Sequence, residues 1–415
     1  MANVAPFRGL RYDRAVVGDL ATVTAPPYDV ISPDALERFE LASPYNVVRL
    51  ILGREAAGVD QYTRAAQTLA DWIREGVLAL DDRETVTIYE QRFNVGGRER
   101  VQRGVLAAVE LEEQPGSILP HEKTMAAPVE DRLKLMRATA ANLSPVFAVY
   151  AGDDGGARDV IATTVEAAPL ASFETADDRV AHRAWATSDP AAIAAIRRTI
   201  AAATVVIADG HHRYRTAQEY RAERRAAGDG AGPWDAMLMY LVDAGWHGPA
   251  LLPIHRALDV PPAEILARID GVFDVEPAAE TDPDALAAEL ERRRAEGRTY
   301  ALLGRDRAWW LTVADKAAEA DALPADRSAV WRDLDVAVLE WLVVGKLLGA
   351  QARYVHHPNE AAEQIARGEA QSGVLLAPPP FDAVRAVAES GEAMPPKSTF
   401  FIPKPRTGVV IRPLG

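Results

Sequence analysis

Apolar positions along the chain switch between a repeat near 3.6 residues and a repeat near two, and the switches mark its elements. From Asp60 to Glu75, apolar or small residues recur at helical spacing around Tyr62, Ala66, Leu69 and Ile73, and Gly76 is placed to end that helix. Thr85 to Phe93 and Arg98 to Leu111 read as two strands joined by Asn94-Val95-Gly96-Gly97, a hairpin turn. Asn46 to Leu52 and Val146 to Tyr150 read as buried strands. Asp189-Pro190 opens a helix through Ile193, Ile196 and Ile200, after which Thr204 to Ala208 is a short apolar strand. Arg213 to Ala226 reads as a helix and Met237 to Val242 as a strand. Further on, Pro262 to Ile269 is helical, Thr299 to Leu303 and Ala308 to Val313 form a hairpin, and Asp335 to Leu348 is an amphipathic helix.

Prolines bend this pattern. Ala25-Pro26-Pro27-Tyr28-Asp29-Val30-Ile31 is expected to be extended, because a residue before proline is pushed out of the helical region. Ser32-Pro33 then reads as a helix cap and first helical position. The tail from Met394 to Pro405 has too many prolines for a regular helix. The alternation predicts an α+β (mixed α/β) protein, with mixed sheets, hairpins and packed helices. Three segments are expected: 1–150, 151–258 and 259–415, with a soft boundary at the loop Gly152-Asp153-Asp154-Gly155-Gly156.

Composition narrows the classes. Hydrophobic residues make up 48% and charged residues 26% of the 415, a globular profile. With no cysteine, disulfides, thiolate metal sites and thiol nucleophiles are all excluded, which fits a cytoplasmic protein. The N-terminus lacks the basic and apolar stretches of a secretory signal, and no apolar run approaches a membrane span, so no membrane partner is expected. A formal net charge of −14 argues against nucleic acid as a partner, while leaving room for a local pocket that binds a small anion.

The strongest chemical signal is Ile207-Ala208-Asp209-Gly210-His211-His212-Arg213-Tyr214-Arg215-Thr216-Ala217. A strand delivers Asp209 and Gly210 to a turn, and a helix starts at once. Free amides at such a helix start favour an anion, and Gly210 lets the backbone approach a ligand closely. Arg213 and Arg215 suit phosphate oxygens, and His211 and His212 offer proton transfer near neutral pH. Adjacent histidines point different ways, which argues against one shared metal. Arg213 and His212 are expected at a surface turn, where their replacement spares the fold.

A second cluster is His121-Glu122-Lys123-Thr124, with Glu122 as a candidate base and His121, Lys123 and Thr124 as candidate phosphate contacts. A third is Pro396-Lys397-Ser398-Thr399, where a cation and two hydroxyls on a proline-ordered loop suit phosphate, packing back on the site. Each also has a plain reading, as a solvated loop or a rigid connection. His356-His357 reads as a loop, and His182, His247 and His255 read as structural.

Five stretches together resemble the bacterial domain-of-unknown-function family 1015: Pro6-Phe7-Arg8-Gly9-Leu10-Arg11, Ala25 to Ile31, His121 to Thr124, Ala208 to Tyr214 and Met394 to Phe401. The box at Ile207 to Ala217 also looks like the phosphate-binding box of ParB-like proteins, typically Ile-Ala-Gly-Glu-Arg-Arg-Tyr-Arg-Ala-Ala. Its Asp-Gly-His-His-Arg form is closer to the free serine kinases of that superfamily. That resemblance implies a ParB/serine-kinase-like strand-turn-helix, a box that grips phosphate and a glutamate base. No DNA-reading helix-turn-helix accompanies it, and Glu122 is the candidate base by its chemistry, not by a motif.

Three functions are expected, and the acidic balance weighs against a fourth, a ParB-like nucleic-acid protein. The first is a nucleotide-dependent phosphotransferase acting on a small hydroxyl compound, with free serine as the implied substrate, ADP or ATP as co-substrate and Mg²⁺ bridging phosphates. Asp209 or Glu122 would orient or deprotonate the hydroxyl, while Lys123 and Lys397 would neutralise charge. The second is a phosphomonoester hydrolase, such as a phosphoserine phosphatase, with His211 or His212 as nucleophile or acid. The third is a non-catalytic sensor of a nucleotide or phosphorylated metabolite.

Overall fold

In a computed structural model of the chain, which describes all residues except 114, 115, 153–155 and 296, the elements sort into two units. Met1–Pro249 with Pro403–Gly415 form the first, and Ala250–Ile402 the second. The fold is mixed α/β, with several sheets and packed helices. Three residues of the Gly152–Gly156 loop lie outside the described residues.

The first unit is built on one large sheet. Its strands are β1 (Val4–Ala5), β2 (Val86–Val95), β3 (Arg98–Glu110), β4 (Ile118–Pro120), β5 (Val146–Tyr150), β6 (Ala171–Thr175), β7 (Val180–Thr187), β8 (Val205–Asp209) and β9 (Ala236–Asp243). They run in the order β4-β8-β5-β9-β3-β2-β7-β6, with β1 added to β3. Most neighbours are antiparallel, while β8 runs parallel to β4 and β9 parallel to β5. The hairpin of β2 and β3 turns through Gly96 and Gly97, both at positive φ as glycine allows.

Strands β5 and β8 sit inside the sheet, and their apolar runs are buried without alternation, as strands covered on both faces require. The helices of this unit include α1 (Gln61–Arg74), α2 (Ala126–Thr139), α3 (Pro190–Ala202) and α4 (His211–Ala226). Ile196 and Ile200 on α3 and Ala217 and Tyr220 on α4 enter the same core as Val146, Ala148, Val205 and Ile207. Each fully buried isoleucine there stabilises the unit by roughly 1.5–3 kcal/mol.

Two expectations are corrected. Asn46 to Leu52 is not a strand, because Val48–Ile51 forms a helical turn. Asn46 decides this: its Oδ1 accepts from Val48 N at 3.0 Å and its Nδ2 donates to Thr22 O at 2.8 Å. A side chain that caps the backbone overrides an apolar run. Ala25 to Ile31 is extended only in part. Ala25 bridges Thr407, but Tyr28–Val30 forms a 3-10 turn once the proline restriction ends at Pro27.

The second unit holds a six-stranded antiparallel sheet, in the order Phe273–Pro277, Ala308–Val313, Thr299–Leu303, Ser372–Leu375, His255–Leu258, Ala352–Val355. Its helical stretch from Asp335 continues past Val338 in π-type register over Leu339–Leu348. Ala250–Leu252 pairs with Phe400–Ile402, so the proline-rich tail ends in a strand. Among the described residues, no helix is long and apolar enough to cross a membrane.

Candidate active site

Strand β8 ends at Asp209 and α4 begins at His211, with Gly210 between them at φ +89°. A left-handed bend is what lets a strand pass into a helix over one residue, and only glycine takes it without strain. No side chain caps the start of α4. Among the described residues, its first-turn amides and the positive end of the helix dipole therefore have no capping side chain as acceptor.

Below the turn the charges are paired. Arg213 Nη2 lies 2.5 Å from Asp209 Oδ2, and Arg213 Nη1 donates to the Pro145 carbonyl. Lys404 Nζ, from the C-terminal segment of the same unit, pairs with Asp209 Oδ1. Burial pushes the Asp209 carboxyl up, but Lys404 and Arg213 outweigh it and hold its pKa below the ordinary value. Arg213 is only 6% exposed, which overturns the expectation that it lies at a surface turn. Its guanidinium packs over Gly210, where an added Cβ would come within 2.9 Å of Cζ.

Above the turn, two loops face the histidines. The β4–β8 register sets Pro120 beside Ile207, which brings His121 and Glu122 to the start of α4. His121 is fully buried, and its Nδ1 donates to Ile207 O at 2.7 Å. Glu122 is half-exposed, with Oε1 4.0 Å from His121 Nε2 and Oε2 3.8 Å from His211 Nδ1. His211 Nε2 accepts from His121 N at 3.4 Å, and His212 Nε2 accepts from Met125 N at 3.1 Å. Both imidazoles of the pair therefore turn toward the His121–Met125 segment.

Burial lowers the pKa of all three rings, with like charge adding to the effect on His211 and with Glu122 opposing it on His121. On His212, burial is opposed by Asp29 and Glu122. The fold therefore favours the neutral form of each ring.

Of the expected residues, Asp209, Gly210, His211, His212, Arg213, His121 and Glu122 come together. Lys123 and Thr124 are exposed on the same loop. Arg215 points outward and pairs with Glu219 on its own helix. Lys397, Ser398 and Thr399 belong to the second unit, where Ser398 Oγ donates to Pro395 O and Arg256 Nη2 donates to Lys397 O at 3.3 Å.

Sequence reasoning missed Lys404 as the partner of Asp209, and Tyr28 and Asp29. Tyr28 lies under Arg132, 4.2 Å from guanidinium to ring centroid, and shares a narrow cleft of about 40 Å³ with Arg132, Met136, Leu143 and Arg213. The signal lies in Pro26-Pro27-Tyr28-Asp29, where the two prolines speak for backbone shape and hide the side-chain chemistry beside them. A wider cleft of about 630 Å³ belongs to the second unit, and no expected site residue lines it. There Arg298 is paired with Glu319, Asp333 and Asp335.

A family model described as a protein of unknown function (DUF1015) matches residues 4–337. No curated protein matches the chain. Among solved structures, a free serine kinase variant in complex with AMP is similar at a TM-score of 0.33 and 15% identity, covering 69% of this chain and 84% of that one. Another variant in complex with ADP gives 0.34 and 15%, covering 73% and 88%. SbnI with a C-terminal truncation from Staphylococcus aureus gives 0.34 and 10%, covering 73% and 85%.

Proposed function

The chain belongs to the DUF1015 family, and we propose that it is a nucleotide-dependent phosphotransferase acting on a small hydroxyl compound, with free serine the first to test. One observation carries this reading. An uncapped helix start and a carboxylate set between two imidazoles meet at a single turn of the first unit. The first is a site for phosphate oxygens, and the second is a device for moving a proton.

The roles follow from position. The first-turn amides of α4 take phosphate oxygens of ATP or ADP. His212 joins them: the Met125 amide occupies Nε2, so the neutral ring carries its proton on Nδ1 and donates from there. Glu122 orients the substrate hydroxyl and takes its proton as the oxygen attacks phosphorus. The bond from phosphorus to the bridging oxygen breaks, and the nucleotide leaves with the electron pair. Lys123, exposed on the same loop, neutralises charge developing on the phosphoryl oxygens. Asp209, Arg213 and Lys404 form the rigid base of the turn.

Mg²⁺ is not given a protein cage. Among the described residues no three His, Asp or Glu side chains gather in a way that suits a cation.

The reading is tested by incubating the full chain with ATP or ADP and serine, with and without Mg²⁺, and following nucleotide conversion. Conversion that requires serine supports it. Phosphate released from phosphoserine with no nucleotide present replaces it with a phosphomonoester hydrolase.

A further inference from the structure

We infer that His121 is the proton-accepting partner of Glu122: a buried positioning residue that draws the substrate's proton off the carboxylate, while His211 holds the other carboxylate oxygen as a hydrogen-bond donor. This rests on the transferase reading and assigns His121 a part other than the phosphate contact expected of it.

The roles depend on which ring nitrogen carries hydrogen. His121 Nδ1 lies 2.7 Å from the Ile207 carbonyl oxygen. A carbonyl only accepts, so Nδ1 carries the proton, and the neutral ring keeps its lone pair on Nε2. That nitrogen faces Glu122 Oε1 at 4.0 Å. In His211 the assignment is reversed. The His121 amide donates to His211 Nε2 at 3.4 Å, so this ring's proton is on Nδ1, which faces Glu122 Oε2 at 3.8 Å. The two rings meet edge to face, centroids 4.8 Å apart and planes at 78°, which fixes both orientations.

One carboxylate therefore meets a donor on one oxygen and an acceptor on the other. Ionised Glu122 has the His211 Nδ1 proton directed at Oε2 across 3.8 Å. Once Glu122 has gained a proton, its hydroxyl faces an acceptor in His121 Nε2. The balance is simple: the substrate O–H bond breaks, Glu122 takes the proton, and His121 Nε2 receives it as the carboxylate re-forms. Other titratable groups acting on His121 include Asp209 and His211, at the strand-to-helix turn. Asp209 favours the charged ring, as does the Ile207 carbonyl. The gaps near 4 Å are longer than hydrogen bonds, and a half-exposed Glu122 closes them by a small shift or through one water.

The test uses the full chain labelled with ¹⁵N-histidine. The expected result is that His121 carries its proton on Nδ1 above neutral pH, and that Glu122→Gln moves its titration to lower pH, because a neighbouring negative charge is gone. A proton on Nε2, or a titration unmoved by Glu122→Gln, overturns the inference. In the transfer assay, His121→Gln is expected to lower kcat by about tenfold or more and flatten the acid limb of the pH profile, with the nucleotide KM little changed. An unchanged kcat and profile overturns it as well. If His121→Gln does not fold, the ring titrations of the unaltered chain and of Glu122→Gln decide. A chain that turns over no nucleotide contradicts the transferase reading alone, since the ring nitrogens are read without turnover.

Discussion

Arg213 reaches back four residues to Asp209, and 2.5 Å separates Nη2 from Oδ2 beneath the glycine bend. The pair is almost shut off from solvent, with side chains 7% and 11% exposed. Breaking a buried pair costs about 3–5 kcal/mol, and because Lys404 still faces Asp209 once Arg213 is gone, the loss falls toward the lower end of that range. Arg213→Ala is therefore expected to lower the unfolding free energy of the first unit by that order, measured by urea denaturation. A loss under about 1 kcal/mol would show that the pair does not hold the turn.

Gly210→Ala is expected to destabilise by about 1–3 kcal/mol. The position has φ +89°, and the new methyl would sit 2.9–3.0 Å from the Arg213 guanidinium. The same assay reads the loss, and a stability equal to the parent chain would refute a glycine requirement at the bend.

Acid is expected to destabilise the first unit in two stages. His121, His211 and His212 have lowered pKa values in the fold, and His182 is pushed down to about 3 by burial and Arg406. Unfolding lets each ring take a proton near its ordinary value, so the unfolded chain binds more protons and stability falls as pH drops below about 6.5. For His182 alone the loss, complete only below pH about 3, approaches about 5 kcal/mol. Asp209 acts lower: its contribution is whole above the ordinary carboxylate pKa and is lost as pH falls through its lowered value. Urea midpoints from pH 7 to 4 should fall steadily, and His182→Phe, placed between Tyr89 and Phe173, should make the slope shallower. An unchanged slope would contradict the burial of an uncharged His182.

Much of this architecture was legible in the chain. The hairpin of β2 and β3, the strand β8 and the helix after it all follow from local periodicity, which a strand-turn-helix cannot hide. The second anchor of the Asn46 cap was not legible, because its partner Thr22 is brought close only by a chain reversal. The meeting of His121 with His211 was not legible either. It depends on the parallel pairing of β4 with β8, a non-local register that no local pattern records. Lys404 stood out only as a cation in a proline-rich tail. Its pairing with Asp209 closes a loop of nearly two hundred residues.

The two arms of the site should separate in kinetics. Glu122→Gln is expected to cut kcat by about 10²–10⁴ while nucleotide affinity holds, since Glu122 acts on the hydroxyl. His212→Ala is expected to weaken nucleotide binding several-fold through the lost donor at the helix start. Calorimetric titration with ATP or ADP, paired with rate measurements, distinguishes them. Matching losses of affinity in both variants would merge the two arms into one.

The most direct measurement is ³¹P NMR of the full chain with ATP or ADP, Mg²⁺ and serine. A phosphotransferase is predicted to give a new phosphomonoester signal growing in step with the loss of one nucleotide phosphate, and Glu122→Gln to leave it nearly absent. A nucleotide spectrum that stays unchanged with serine and other small hydroxyl compounds would contradict that activity.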